Sequence, residues 1–462
     1  MKYISTRGQA PELTFEEAML TGLARDGGLY VPAEIPQMSL GDIASLAGQP
    51  YEHVAFRVMR PFIGETFTDA EFQDIIALAY AGFGHDARAP LVQLNEGHYL
   101  LELFHGPTLA FKDFAMQLIG QLFEEALKRR GDRVTIVGAT SGDTGSAAIE
   151  AFRGLDAVDV FILYPHGRIS EVQRRQMTTP TEANVHALAV DGDFDDCQAR
   201  VKDMFNDFDF RDDVRLSGVN SINWARVLAQ VVYYFSSAVS LGAPHRRVSF
   251  TVPTGNFGDI FAGYIAKRMG LPIERLVVAT NQNDILHRCL NGQGYHKGET
   301  IPSISPSMDI QVSSNFERAL FDAYDRDGGA VAQLMEELRS GGFEVSQGAM
   351  QALREQYDSG RVSEEETHQA IADWLGRSGE LLCPHSAVGV HVAEALRDKA
   401  VPMVTLATAH PAKFPAAVEA ASGVHPPLPP RMSDLYERSE RVTRIANDLG
   451  ALQDHIRGQI AN

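Results

Sequence analysis

Cysteine is scarce in this chain. The three present, Cys197, Cys289 and Cys383, lie far apart. That excludes a disulfide framework and a zinc knuckle, and it fits a reducing compartment. No spacing of His, Cys, Asp and Glu resembles a metal site. Positive charge is short as well: 41 Lys and Arg against 60 Asp and Glu leave a formal net charge of −19. Such a balance argues against a nucleic-acid surface or an anionic membrane as partner. The longest apolar run, Val227 to Leu241, is broken by Gln230, Ser236, Ser237 and Ser240, and it predicts a buried core helix rather than a membrane span. The opening residues, Met1-Lys-Tyr-Ile-Ser-Thr-Arg7, lack the apolar stretch of a signal peptide, so a cytoplasmic protein is expected. Internal repeats and low-complexity segments are absent.

What is present is enough for a sizeable core. The chain has 462 residues, 44% hydrophobic and 22% charged, which at ~150 residues per domain predicts two to four domains. Thr14-Phe-Glu-Glu17 carries a capping-box pattern for a helix start, within a mostly helical first stretch. From about Leu100, short apolar strands alternate with amphipathic helices. Strands are expected over 134–138, 158–163, 248–252, 276–280 and 403–407. Alternation of this kind predicts an α/β fold with mostly parallel sheets. Between 316 and 379 charged helical sequence replaces the strands, which predicts a helical insertion.

The chemistry concentrates in three places. His105-Gly-Pro-Thr-Leu-Ala-Phe-Lys112-Asp-Phe114 sets a lysine among apolar and small residues at a helix start. A desolvated lysine loses proton affinity and becomes a nucleophile toward aldehydes; a lysine snorkelling over apolar surface would give the same local sequence. Two glycine-rich loops follow strands and open helices: Gly138-Ala-Thr-Ser-Gly-Asp-Thr-Gly-Ser146 and Pro253-Thr-Gly-Asn-Phe-Gly-Asp259. Such a turn points backbone N–H groups and the positive end of a helix at an anion, although either could be only a tight turn. Neither has the dinucleotide or P-loop pattern. One buried lysine and two anion sockets in an α/β sheet are what pyridoxal 5'-phosphate and an amino-acid substrate require. Thr408, at the end of the 403–407 strand, is placed to meet the pyridine nitrogen.

Together with Tyr3-Ile-Ser-Thr-Arg-Gly8, Gly22-Leu-Ala-Arg-Asp-Gly-Gly-Leu-Tyr-Val-Pro32, Asn220-Ser-Ile-Asn-Trp-Ala-Arg226 and Ala407-Thr-Ala-His-Pro-Ala-Lys-Phe414, these motifs resemble the threonine synthase family over essentially the whole chain. They resemble its longer bacterial and fungal subgroup, within the pyridoxal-phosphate fold type II enzymes. The resemblance implies an N-terminal domain over 1–95, a large cofactor-binding domain over 96–115 and 232–462, and a small mobile domain over 116–231. It implies that Lys112 holds the cofactor covalently and later shuttles protons. Gly255, Asn256, Phe257, Gly258 and Asp259 would form the phosphate cradle, and Thr408 would face the ring nitrogen. Thr140, Ser141, Asp143 and Thr144 would bind the substrate carboxylate and the ring hydroxyl side. Many fold type II enzymes have Asn where this chain has Asp143, so the role of that carboxylate is open. The implied reaction is that of a carbon–oxygen lyase acting on a phosphate ester: O-phospho-L-homoserine and water to L-threonine and phosphate. Arg168, Asn220, Ser221, Asn223 and Arg226 are candidates for the leaving phosphate, with Lys413 a weaker one. A monomer or homodimer is expected.

Rival readings are another lyase of the same fold, such as a serine or threonine dehydratase or a phosphoserine eliminase, and a non-catalytic binder. Asp191-Gly-Asp-Phe-Asp-Asp196 hints at a calcium loop but has Asp196 where glycine is needed and Lys202 where glutamate is needed; it predicts a capped helix start. His105, His385 and His410 lie near the motifs without an assigned role.

Overall fold

The computed structural model describes residues 1–460. Its centre is a six-stranded sheet in the spatial order Tyr357–Arg361, Ile273–Thr280, Val248–Pro253, Met403–Ala407, His98–Glu102, Leu91–Asn95. All neighbours are parallel except the last pair. Every residue of Val248–Pro253 and Met403–Ala407 is buried, as strands covered on both faces by helices must be. A second, wholly parallel sheet runs Thr443–Ile445, Val185–Val190, Val158–Pro165, Val134–Ala139, Leu216–Ser217. The α/β class and the mostly parallel sheets expected from the sequence are both present.

Helix Trp224–Ser240, which contains the long apolar run, is buried along nearly all its length. Among the described residues no helix is long and apolar enough to cross a membrane. The N-terminal stretch is helical. Thr14 caps Phe15–Thr21 with a full capping box, and helices Tyr51–Ile63 and Asp69–Tyr80 share the main hydrophobic core. The acidic motif Asp191 to Asp196 is the N-terminus of helix Phe194–Asn206, with a capping box between Asp193 and Asp196.

Two boundaries need correction. The 316–379 stretch is not free of strands: Tyr357–Arg361 pairs in parallel with Ile273–Thr280 at the sheet edge. The segment 232–462 does not stay with the large sheet either. Thr443–Ile445 pairs with Val185–Val190, and Leu452 and Ile456 of helix Leu449–Gln459 join the core of the second sheet beside Leu188, Val190 and Phe210. A buried apolar face needs a cover, and here distant sequence supplies it.

The carboxyl ends of the strands converge. Phe111 N–H donates to the Thr408 carbonyl at 2.8 Å, and His410 N–H to that of Leu109 at 3.0 Å. This cross-link seats the lysine segment against the end of strand Met403–Ala407.

Candidate active site

A cavity of about 810 Å³ opens at these strand ends. Lys112 begins helix Lys112–Arg130 and lines it. The turn before Lys112 is held by Asp113, whose carboxylate accepts from the Thr108 N–H at 2.8 Å and hydroxyl at 2.5 Å. Leu109 pays for that turn with a left-handed φ of 64°. The Lys112 side chain is almost fully buried. Burial lowers its proton affinity, the cations Lys413 and Arg226 lower it further, and Asp143 opposes them.

The wall opposite is the start of helix Gly258–Arg268. Gly255 passes so close to the Ser307 carbonyl that a Cβ there would sit 2.5 Å from its oxygen, so only glycine fits. Phe257 closes the turn at φ 63°. The backbone N–H groups of Gly255, Asn256 and Phe257 donate to no internal acceptor among the described residues. They are therefore free for an anion at the positive end of the helix. Asp259 departs from the expectation placed on it. Its carboxylate lies beneath this turn, accepting from Tyr233 at 2.5 Å and Tyr234 at 3.1 Å, and burial pushes it up to about 7 against those bonds. Its side chain belongs to the support of the cradle.

A third wall is the loop before helix Asp143–Phe152. Thr140, Ser141, Asp143 and Thr144 all line the cavity. The Thr140 hydroxyl accepts from the N–H groups of Gly142 and Gly145, both at 2.9 Å, so its lone pairs shape the loop. Asp143 cannot bind a carboxylate. Burial would push its acid form up, but Lys413, Lys112 and Gln173 outweigh burial and hold it well below the usual carboxylate range. It is 2.9 Å from Lys413 and 3.5 Å from Lys112, and it accepts from Gln173 at 2.9 Å.

Arg226, Gln230, Asn220 and Ser221 also face the cavity. Arg226 is buried and forms no ion pair among the described residues. One N–H reaches the Val219 carbonyl at 3.3 Å, Nε has no partner, and burial pushes its proton affinity down to about 10. A buried cation without a carboxylate is costly in isolation and is suited to an anionic ligand. Thr408 lines the cavity and is nearly buried.

Two expected phosphate ligands are elsewhere. Arg168 is exposed on the turn after strand Val158–Pro165 and does not line the cavity. Asn223 is fully buried and spent on structure: it caps helix Trp224–Ser240 and donates to the Met19 carbonyl at 2.8 Å. The structure brings to the site groups to which motif reading gives a weak role or none. Lys413 is fully buried beside Asp143. Gln173, in the capping box that starts helix Glu171–Thr178, reaches Asp143 from that helix. His385 accepts from the Ser307 N–H at 3.2 Å, and burial holds it neutral, at about 4. Asp193 and Asp195 sit on the cavity rim with Ile310 and Val312. His105 instead meets Glu102 at 2.7 Å, and His410 caps the Pro411–Lys413 turn.

A buried lysine amine, a glycine cradle of free N–H groups and a threonine hydroxyl at a strand end fit pyridoxal phosphate: amine for aldehyde, cradle for phosphate, hydroxyl for ring nitrogen.

Comparison with known proteins agrees. The model "Threonine synthase N terminus" matches residues 2–80, "Pyridoxal-phosphate dependent enzyme" 83–337, and "Threonine synthase, C-terminal" 386–456. The chain is 58% identical to the threonine synthase of Pseudomonas aeruginosa over 98% of this chain and 97% of that one. It is 44% identical to that of Schizosaccharomyces pombe, over 91% and 89%. Its fold is similar to pyridoxal-phosphate-bound threonine synthase from Brucella melitensis, with TM-score 0.98, 56% identity and 99% of each chain covered. The yeast enzyme gives TM-score 0.94 at 41% identity, over 99% and 98%.

Proposed function

This chain belongs to the threonine synthase family, and from that premise we propose how its residues carry the reaction. It is a pyridoxal-phosphate-dependent enzyme that converts O-phospho-L-homoserine and water to L-threonine and phosphate. Bound pyridoxal phosphate supplies an electron sink for proton removal at the substrate's Cα and Cβ.

Lys112 Nζ would hold the cofactor and would be freed when the substrate amine takes its place. The freed amine, buried and low in proton affinity, then takes the Cα proton, hands it to the substrate's phosphate group, and takes a Cβ proton. The Cγ–oxygen bond breaks with its electron pair going to phosphate. Lys112 returns its proton to Cγ, water adds its hydroxyl at Cβ and gives its proton to Lys112, and Lys112 passes that proton to Cα. The N–H groups of Gly255, Asn256 and Phe257 hold the cofactor phosphate. Thr408, which lines the cavity, would meet the ring nitrogen, where its hydroxyl could donate without forcing the nitrogen to be protonated. Ser141 and Thr144, at the start of helix Asp143–Phe152, hold the substrate carboxylate. Arg226, with Asn220 and Ser221, takes the leaving phosphate.

The observation that carries this reading is the buried, unpaired Arg226 in the same cavity as Lys112. A simple dehydratase needs no such second anion partner. Incubation with O-phospho-L-homoserine should release threonine and phosphate in equal amounts, and neither with Lys112→Ala. Phosphate accompanied by a keto acid would overturn the reading in favour of elimination without addition of water.

A further inference from the structure

Two lysines flank one carboxylate in the cavity wall. Asp143 Oδ1 is 2.9 Å from Lys413 Nζ, and Oδ2 is 3.5 Å from Lys112 Nζ. Lys413 is fully buried and sits in the Pro411–Lys413 turn that follows the end of strand Met403–Ala407. Its ammonium also donates to the Thr108 carbonyl at 2.7 Å. Thr108 in turn holds Asp113, the residue after Lys112. Lys413 is thus tied both to the turn that presents Lys112 and to the carboxylate beside it.

An amine attacks or removes protons only when neutral. Were Asp143 to depend on Lys112 for its counter-charge, Lys112 would be held protonated. A second cation at Asp143 removes that demand and also repels a proton from Lys112 directly. The other charged and titratable groups facing the trio are few. Arg226 adds positive charge near Lys112. His385 faces Asp143 and is held neutral by burial. Asp113 and His410 face Lys413, and Asp113 is engaged by Thr108. None of these replaces Lys413 as the partner of Asp143.

We propose that Lys413 is a positioning residue of the reaction, the permanent counter-ion of Asp143 that leaves the amine of Lys112 free to lose its proton. An amide at position 143 would need no such cation; the carboxylate does. The proposal rests on the reading of Lys112 as the cofactor-bearing lysine.

The test is a pH titration of the visible absorbance of the cofactor-loaded protein, which reports the protonation of the Lys112 nitrogen. Lys413→Met should move the midpoint up by about one pH unit or more, a tenfold change in proton affinity. Asp143→Asn combined with Lys413→Met should bring it back toward the parent value, because no carboxylate is left to be balanced. Asp143→Asn alone should move it below the parent, since Lys413 and Arg226 then act unopposed; that variant decides the matter if Lys413→Met does not fold. A midpoint unchanged in Lys413→Met, or unchanged in Asp143→Asn, overturns the proposal, as does a double variant that stays with Lys413→Met. A Lys112→Ala protein that keeps the parent's visible band would overturn the assignment of Lys112 itself, a result separable from an unmoved midpoint.

Discussion

Asn315 grips the backbone oxygen of Asn256 twice, through its own backbone N–H and through its side-chain amide, both at 3.0 Å. The same side chain donates to the Ser221 carbonyl at 3.1 Å. One residue therefore joins the phosphate cradle to the loop that carries Asn220 and Ser221. Arg318 backs it, donating to Asn315 Oδ1 and to the carbonyls of Tyr30 and Ile222. Asn315→Ala should weaken cofactor binding about tenfold, the loss of one to two net hydrogen bonds. Equilibrium titration with pyridoxal phosphate measures it, and an unchanged affinity would show that the cradle holds without this link.

Arg226→Met keeps most of the side-chain volume and removes the charge. Cofactor affinity should be retained, because the cradle is built from other residues. For O-phospho-L-homoserine, kcat/KM should fall by about 10- to 100-fold, the range for a lost hydrogen bond to a charged group. Equal losses with substrate and with cofactor would place Arg226 in the wrong role.

Asp259 gives the protein a pH dependence of stability opposite in sign to that of a salt-bridged carboxylate. Its folded value is about 7 against an ordinary 3.8. Its contribution is thus complete below about pH 4 and is lost as pH rises through 7. Over that window the unfolding free energy from urea titrations should fall, by up to about 1.4 kcal/mol per pH unit. In Asp259→Asn the decline should flatten. Asp143 acts the other way, and only below its ordinary value of 3.8, since its folded value is lower still; the two windows do not overlap.

Removing residues 440–460 should destabilise the second sheet while leaving the six-stranded sheet intact. Leu452 and Ile456 are fully buried against its core, and losing two such side chains costs roughly 3–6 kcal/mol. Hydrogen exchange should show lost protection in strands Val158–Pro165 and Val185–Val190. Unchanged protection there would mean that the sheet does not need this cover.

Much of this molecule was readable from its residues. The strands over 134–138, 158–163, 248–252 and 403–407 are short, apolar-rich segments; Val248-Ser-Phe-Thr-Val252 even alternates, yet Ser249 and Thr251 are buried with their neighbours because the sheet is covered on both faces. Val185–Val190 escaped notice, its Val-His-Ala-Leu-Ala-Val sequence diluted by two alanines and a histidine. Tyr-Asp-Ser-Gly-Arg at 357–361 has no strand character and owes its conformation to the ladder with Ile273–Thr280. In the site, Lys112 announced itself as a lysine in an apolar helix start. Lys413 carries the same signal in Ala-His-Pro-Ala-Lys-Phe, a lysine among apolar and small residues. Asn223 and Arg168 matched by type but not by place, because a cap and an exposed turn are tertiary facts. The His385 and Asn315 contributions depend on the 300–315 segment folding back over the cradle, which no short-range pattern encodes.

The edge of Val185–Val190 is covered by Thr443–Ile445, made long after it. A ribosome working from the N-terminus therefore leaves that strand's hydrogen-bonding edge open through most of synthesis. During that interval its own apolar residues, including Leu188 and Val190, invite pairing with another nascent copy. The order of the chain thus makes the second sheet the part whose completion must wait for the rest of the molecule.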